Sequence, residues 1–263
     1  MKQRIITAAI LIAVFLPIAI LGGVPFLILT YAMATIGLYE LFQMRKLKLA
    51  SMHGLIAIIL LWVFLLPNKY FEVINVTELS KIELAFAAVL IFLSYTVIRK
   101  NQFTFEDAGF TLLSVLYVGI GFYYFVQTRD AGLIYLFYAL FVVWVTDSGA
   151  YFIGRKFGKR KLWPDISPNK TVEGFFGGII SALAVAVLFA LFSDIQISFV
   201  KLILMTIILS IFGQMGDLAE SALKRHYGVK DSGNLFPGHG GILDRCDSWL
   251  FVLPLLNFLH ILH

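Results

Sequence analysis

The sequence has little charge for its length of 263 residues. Only 14% of the residues are Asp, Glu, Lys or Arg, whereas about 25% is usual in soluble domains. Together with a hydrophobic content of 60%, this shortage excludes a soluble globular domain and predicts an integral membrane protein. The single cysteine, Cys246, excludes an internal disulfide. Internal repeats and low-complexity linkers are also lacking, so we expect one integral membrane domain over 1–263.

Long apolar runs recur along the whole chain. Stretches such as 183–192 and 202–212 are apolar on every side, which favours helices over the alternating strands of a barrel. Crossing a hydrocarbon core takes roughly 17–25 helical residues. We therefore expect an all-α polytopic membrane protein with about nine transmembrane helices, the first of them an uncleaved helix. These spans are predicted near 5–21, 24–42, 54–67, 84–98, 109–127, 132–153, 173–193, 199–222 and 246–262.

The distribution of basic residues predicts the orientation. If the N-terminus is cytoplasmic, the outside loops hold only Lys69, Lys81, Arg129 and Lys201, which leaves 17 of the 21 basic residues inside. Loops rich in Lys and Arg stay in the cytoplasm, so we expect a multi-pass protein of the cell's inner (plasma) membrane with its C-terminus outside. The net charge of +5 then reflects topology and attraction to anionic lipid. No nucleic-acid partner is needed to explain it.

Two segments on the cytoplasmic side, 154–178 and 213–248, are polar, glycine-rich and densely charged. We therefore expect 1–130 to be mainly scaffold spans and 131–263 to carry a polar site that faces the cytoplasm. Acids in or near a bilayer are costly unless they face a partner or a polar cavity. The bases in 155–161 are explained by topology or by contact with lipid head groups.

Asp217 follows an apolar run and has no base one helical turn away. For this residue we favour a role as an oxygen ligand of Mg²⁺, with Asp244 as its partner. Ion pairing is the alternative for each acid, and it is strongest for Glu220, which precedes Lys224 by four residues. Asp147 lies toward the cytoplasmic end of an apolar span and is a candidate contact for a cation or substrate.

The segment 230–248 reads KDSGNLFPGHGGILDRCDS. Its glycines permit positive φ and a close approach of backbone N–H groups to a ligand, and a helix N-terminus near Leu243 would add to an anion site. An ordinary connecting loop is the alternative. His239 is either functional or a structural hydrogen-bonding residue. Lys170 stands before a new span, next to the helix-capping candidates Thr171 and Glu173.

Carboxylates for a cation, several bases and a glycine loop on one side of the membrane suit a phosphate-rich ligand. Phosphoryl and nucleotidyl transfer need chiefly charge neutralisation and alignment from the protein. A cation-coupled transporter is the alternative from a different class, and its site would lie near the bilayer midplane. The clustering of charge at one face argues against it.

The segment SALKRHYGVKDSGNLFPGHGGILDRCDS, 221–248, resembles the signature of the membrane-bound phosphatidate cytidylyltransferases. DSGAYFIGRKFG, SPNKTVEGFFGG and GDLAESALKR are also similar to segments of this family. The Asp-Gly-x-x-Ala-Arg core of the CDP-alcohol phosphotransferases, the nearest rival family, is absent from the sequence. The signature positions are Ser221, Lys224, Arg225, Lys230, Asp231, Pro237, His239, Gly240, Gly241, Asp244, Arg245 and Asp247.

The resemblance implies a Mg²⁺-dependent transfer of the cytidylyl group of CTP to phosphatidate, with CDP-diacylglycerol and pyrophosphate as products. It implies that Asp217 and Asp244 hold Mg²⁺, with or without a second cation, and that the protein is a homodimer in contact with membrane lipid. The implied catalytic residues are Lys224, Arg225, Lys230, Asp231, His239, Arg245 and Asp247. The implied substrate contacts are Ser221, Lys170, Asp147, Gly240 and Gly241. Acyl-chain preference and the choice between CTP and dCTP are left open.

Overall fold

The structure, a computed structural model, describes residues 2–67, 80–195 and 197–259, and it describes side chains from residue 6 onward. These ranges contain nine helices and one hairpin of two strands. The helices are α1 (Lys2–Leu21), α2 (Gly23–Met44), α3 (Met52–Leu65), α4 (Lys81–Ile98), α5 (Phe105–Ala131), α6 (Leu133–Phe157), α7 (Val172–Phe192), α8 (Phe199–His226) and α9 (Leu243–Phe258). Each predicted span falls on one of these helices, except that 260–262 lies outside the described residues.

The helices divide by length. Six of them, α2 and α4 to α8, are long and apolar enough to cross a membrane. The apolar part of α1 and the 14-residue α3 are shorter, and α9 has 16 residues. This composition supports an all-α polytopic membrane protein. The count of nine crossings and the sidedness of the termini stay predictions.

A short antiparallel hairpin connects α6 to α7. Its strands are β1 (Lys161–Trp163) and β2 (Ser167–Thr171), and Lys161 pairs with Thr171. These strands were not predicted from the sequence, because each is very short and β2 contains Pro168 among turn residues. The hairpin leads directly into α7. There Thr171 caps the helix by accepting a hydrogen bond from the Gly174 N–H at 3.1 Å, as its position before the span predicted.

Glycines allow the helices of the second half to pack closely. A Cβ atom at Gly178 of α7 would lie 2.8 Å from the Thr146 carbonyl of α6. One at Gly216 of α8 would lie 2.7 Å from the Asp247 carbonyl of α9. Small residues are the usual means of close helix approach in membranes. Here they bring the polar ends of α6, α8 and α9 and the N-terminus of α7 to one end of the bundle.

Candidate active site

A cavity of about 770 Å³ opens at this polar end of the bundle. Its wall is built from α6, the hairpin, the start of α7, α8, the segment 227–242 and α9. The volume lies within the usual range of small-molecule sites, roughly 300–1,000 Å³. The predicted site residues that line it are Asp147, Lys170, Asp217, Lys224, Asp231, Asp244, Arg245 and Asp247.

Asp217 stands on the cavity wall and is paired with a lysine from the hairpin. Lys170 Nζ lies 2.7 Å from Asp217 Oδ2, and Ser221, one turn further along α8, donates a hydrogen bond to Asp217 Oδ1 at 3.3 Å. The predicted metal ligand and two predicted substrate contacts therefore lie side by side. Both charged side chains remain partly exposed to the cavity.

Asp244 is held by more partners. Its Oδ1 lies 2.6 Å from Lys224 Nζ, and its Oδ2 accepts hydrogen bonds at 2.8 Å from the Ser232 N–H, the Ser232 hydroxyl and the Gly241 N–H. Lys224 also pairs with Glu220 Oε2 at 2.8 Å, the ion pair that their spacing offered as the alternative. Asp244 and Lys224 thus join α8 to the segment that precedes α9.

The cavity carries an excess of acid. The charges of Asp147, Asp217 and Asp247 are close enough to repel one another, and Glu220 lies near Asp247. Glu220 is buried, and its carboxyl group lies beside that of Asp247. Asp247 accepts a hydrogen bond from the Ser248 N–H at 2.7 Å. Positive charge beside such a cluster reduces the repulsion, and Lys170 and Lys224 supply part of it.

The carboxylate oxygens of the cavity suit Mg²⁺, with oxygens of the substrate completing its coordination. Mg²⁺ is usually held by one or two carboxylates together with phosphates and waters, and the partly exposed carboxylate of Asp217 on the cavity wall offers such oxygens. Within the described part of the chain, no three Asp, Glu, His or Cys residues form a ready-made metal cluster. The structure therefore fits a shared site with substrate oxygens, and the roles of Asp217 and Asp244 as ligands stay predictions.

The glycine segment adopts the backbone that its sequence predicted. Gly238 and Gly240 have φ values of 78° and 79°, in the left-handed region that favours glycine. The N–H groups expected to contact phosphate are nevertheless bonded within the protein: the Gly241 N–H to Asp244, and those of Ile242 and Leu243 to Glu40. An anion does occupy the start of α9, but it is a carboxylate of the chain itself.

Six predicted site residues do not line the cavity: Ser221, Arg225, Lys230, His239, Gly240 and Gly241. Arg225 is exposed, and its Nε donates to the Ile166 carbonyl of the hairpin turn at 3.3 Å. The His239 carbonyl accepts a hydrogen bond from Arg245 Nε at 2.9 Å. The imidazole Nδ1 of His239 is buried and has no hydrogen-bond partner. Lys230 is exposed. The roles assigned to these six residues stay predictions.

Several groups at this site were not predicted from the sequence. Arg155 and Lys161 line the cavity although the 155–161 run was assigned to topology, and Gln214 of α8 also lines it. Glu40 lies in the half expected to be scaffold. The signal available for Glu40 was its position as a lone acid near the end of an apolar span. In the basic run 155–161, no sequence feature distinguished the residues that line the cavity from those on the surface.

The chain belongs to the cytidylyltransferase family, which matches residues 2–263. It is similar to a protein of Bacillus subtilis (strain 168) named phosphatidate cytidylyltransferase, with 56% identity over 98% of this chain and 97% of the relative. Proteins of the same name from Staphylococcus haemolyticus (strain JCSC1435) and Staphylococcus aureus (strain COL) are 53% and 51% identical, each over 98% of both chains. Family membership decides against the cation-coupled transporter.

Proposed function

We propose that the protein transfers the cytidylyl group of CTP to phosphatidate, which yields CDP-diacylglycerol and pyrophosphate for phospholipid synthesis. The single observation that carries this proposal is the identity of more than half of the residues to a relative named phosphatidate cytidylyltransferase across nearly the whole chain. The cavity supports it, because acids and bases converge there at one end of a bundle of apolar helices.

The reaction needs charge neutralisation more than proton transfer. A phosphatidate oxygen attacks the α-phosphorus of CTP, a new P–O bond forms, and the bond to the β-phosphate oxygen breaks as pyrophosphate leaves. A phosphate monoester is already ionised near pH 7, so no strong general base is required. The main obstacle is repulsion between two anions. Preorganised positive groups lower this barrier.

The chain supplies these groups from several elements. Lys170 of the hairpin, Lys224 of α8 and Arg245 of α9 line the cavity, and we assign them to the phosphates of CTP and phosphatidate. Arg155 and Lys161 extend this basic wall. Asp217 and Asp244 would hold Mg²⁺. When bound, Mg²⁺ neutralises phosphate oxygens and favours departure of pyrophosphate.

We also propose the orientation that the sequence predicted, with the site facing the cytoplasm, nine crossings, the N-terminus inside and the C-terminus outside. CTP is soluble and phosphatidate remains in the leaflet, so the cavity must be reached from both phases. A cysteine-accessibility scan of the loops in intact cells tests this orientation. The homodimer stays a prediction from the family resemblance, and cross-linking of the purified protein tests it.

The function is tested by the formation of CDP-diacylglycerol from labelled CTP and phosphatidate by the purified protein in detergent. We expect a product that depends on Mg²⁺ with the wild type, and strong loss with Asp217→Ala. Asp165→Ala is the matched control, because Asp165 is exposed in the hairpin turn and does not line the cavity. Folded wild-type protein that gives no product would overturn the assignment. Full activity of Asp217→Ala would leave the reaction standing and remove the proposed cation ligand.

A further inference from the structure

Glu40 is a buried carboxylate in the half of the chain that the sequence predicted to be scaffold. It lies near the end of α2 and only 3% of its surface is exposed. Its carboxylate accepts hydrogen bonds from the Ile242 N–H at 2.8 Å, the Leu243 N–H at 2.9 Å and the Ser232 hydroxyl at 3.0 Å. All three donors lie about 200 residues away, in the segment that leads into α9.

A carboxylate is the group that this place requires. The first N–H groups of a helix lack partners within the helix and carry partial positive charge. Ile242, at the N-cap of α9, provides no side-chain cap. Glu40 therefore caps α9 from a different helix, and these N–H groups offset the cost of placing its charge in the interior.

Glu40 is linked to the cavity through one serine. The Ser232 hydroxyl lies 3.0 Å from Glu40 and 2.8 Å from Asp244 Oδ2, so it bridges the two carboxylates. Asp244 in turn pairs with Lys224. A continuous chain of polar contacts thus runs from α2 through the 230–243 segment to α8.

The neighbouring glycines fit around this carboxylate. A Cβ atom at Gly233 would lie 2.7 Å from Glu40 Oε1, and one at Gly241 would overlap the same oxygen. Real Cβ atoms do not approach neighbours so closely, so these two glycines are needed beside Glu40. The absence of side chains at these two positions leaves room for the Glu40 carboxylate.

We propose that Glu40 is a positioning residue for the transfer reaction: it fixes the segment 230–243 and the first turn of α9, and thereby holds Asp244 and Lys224 at the cavity. This inference rests on the proposed function. Glu40 itself does not line the cavity. Its contribution therefore lies in holding the residues that do, and its loss should lower turnover in protein that remains folded.

The test compares the wild type with Glu40→Gln, Glu40→Asp and Glu83→Gln. Glu83→Gln is the matched control, because Glu83 also caps a helix, α4, by a side-chain contact with Ser80. Each protein is assayed for kcat and for the Mg²⁺ concentration that gives half-maximal rate, well below its melting temperature. Amide hydrogen exchange of the segment 230–248 is measured on the same samples.

Loss of a residue that orients a site from behind typically costs about 10–100-fold. We expect a fall of that size in kcat for Glu40→Gln, a smaller fall for Glu40→Asp, and a rate close to that of the wild type for Glu83→Gln. Exchange should rise in 230–248 and stay unchanged in α4. A uniform rise in exchange with normal kcat for the folded fraction would indicate a role in stability alone and overturn the inference.

Ser232→Ala keeps the proposal testable if Glu40→Gln does not fold. This change removes only the hydroxyl between the two carboxylates. A fall in kcat of about 10-fold, within the range for orienting residues, would support the inference, and a rate equal to that of the wild type would overturn it. Wild-type protein without any product would instead count against the proposed function, and the exchange data would still report whether Glu40 holds the segment.

Discussion

Two lysine–aspartate pairs of nearly equal length stand in the same cavity, and they differ in burial. Lys170 and Asp217 lie 2.7 Å apart with side chains 26% and 34% exposed, whereas Lys224 and Asp244 lie 2.6 Å apart with side chains 13% and 5% exposed. Asp217 has one further donor, the Ser221 hydroxyl. Asp244 has three, from Ser232 and Gly241. The two ion pairs are chemically alike, but only the Lys224–Asp244 pair is buried and tied into the surrounding backbone.

The comparison separates the two predicted metal ligands. Asp217 can exchange its lysine for a cation without loss of any contact that holds a helix in place. Asp244 cannot turn away without releasing the segment before α9, because its Oδ2 accepts three hydrogen bonds while its Oδ1 pairs with Lys224. We therefore expect a cation to displace the lysine of Asp217 more readily than the lysine of Asp244.

The largest effect is expected from Lys224→Met, which breaks the buried pair. It leaves Asp244 and Glu220 without their shared cation, and removal of one partner from a buried pair costs about 3–5 kcal/mol. Activity should be lost together with stability. Thermal unfolding in detergent and the cytidylyl transfer assay measure both on the same preparation.

Lys170→Met is the control for Lys224→Met. Its pair with Asp217 is partly exposed, and such pairs contribute about 0–1 kcal/mol to stability. The melting temperature should therefore change little, although activity should fall because Lys170 lines the cavity. Equal destabilisation by the two substitutions would contradict the distinction between a buried pair and an open pair.

Asp217→Asn should lower activity with little loss of stability, like Lys170→Met and unlike Lys224→Met. The amide keeps the shape of the side chain and removes its charge, so we expect a loss of about 100-fold or more in kcat, the size found when an electrostatic contact in the reaction is removed. Unfolding should shift little, since the lost pair is partly exposed. Circular dichroism on heating and initial rates check these expectations. A melting temperature as low as that of Lys224→Met would refute them.

Gly216→Ala tests the packing that places both pairs. The new Cβ atom would lie 2.7 Å from the Asp247 carbonyl, and overpacking of this kind costs about 1–3 kcal/mol. Gly109→Ala is the matched control in α5, because nothing lies within 4 Å of a Cβ atom there and alanine is favoured over glycine in helices. The two variants should shift the melting temperature in opposite directions.

The helices could be predicted from the sequence because a helix that crosses the lipid core needs a long apolar run. The predicted boundaries stopped short of the polar ends: the span near 199–222 continues to His226 as α8, and the span near 109–127 extends to Phe105–Ala131 as α5. Charged residues at a helix end interrupt the apolar pattern without ending the helix. The ladder of backbone hydrogen bonds continues through them.

The site could be predicted in part, because Asp217 and the 230–248 segment stand out against an apolar background. The residues that they contact in the folded protein could not be predicted. Nothing in the local sequence links Glu40 to Ile242, or Lys170 to Asp217, since both contacts depend on how distant elements pack. The same reason explains why the helix N-terminus was expected to bind phosphate, whereas Glu40 reaches it from α2.

The smallest expected effect is a change in the chemical reactivity of Lys170, the lysine of the partly exposed pair with Asp217. Mg²⁺ alone, without CTP, should compete with Lys170 for Asp217 and leave the buried Lys224 in place. An exposed pair contributes up to about 1 kcal/mol, so release of Lys170 should raise its labelling by an amine acylating reagent about two- to fivefold. Mass spectrometry of peptides that contain each lysine measures this ratio.

Asp217→Asn provides the control for the labelling experiment, since Lys170 should already be reactive there and Mg²⁺ should add nothing. The opposite pattern, in which Mg²⁺ exposes Lys224 and leaves Lys170 unchanged, would mean that Asp244 is the residue that exchanges its partner. That result would reverse the comparison. It would mean that a cation displaces Lys224 from Asp244 Oδ1 while Ser232 and Gly241 still hold Oδ2.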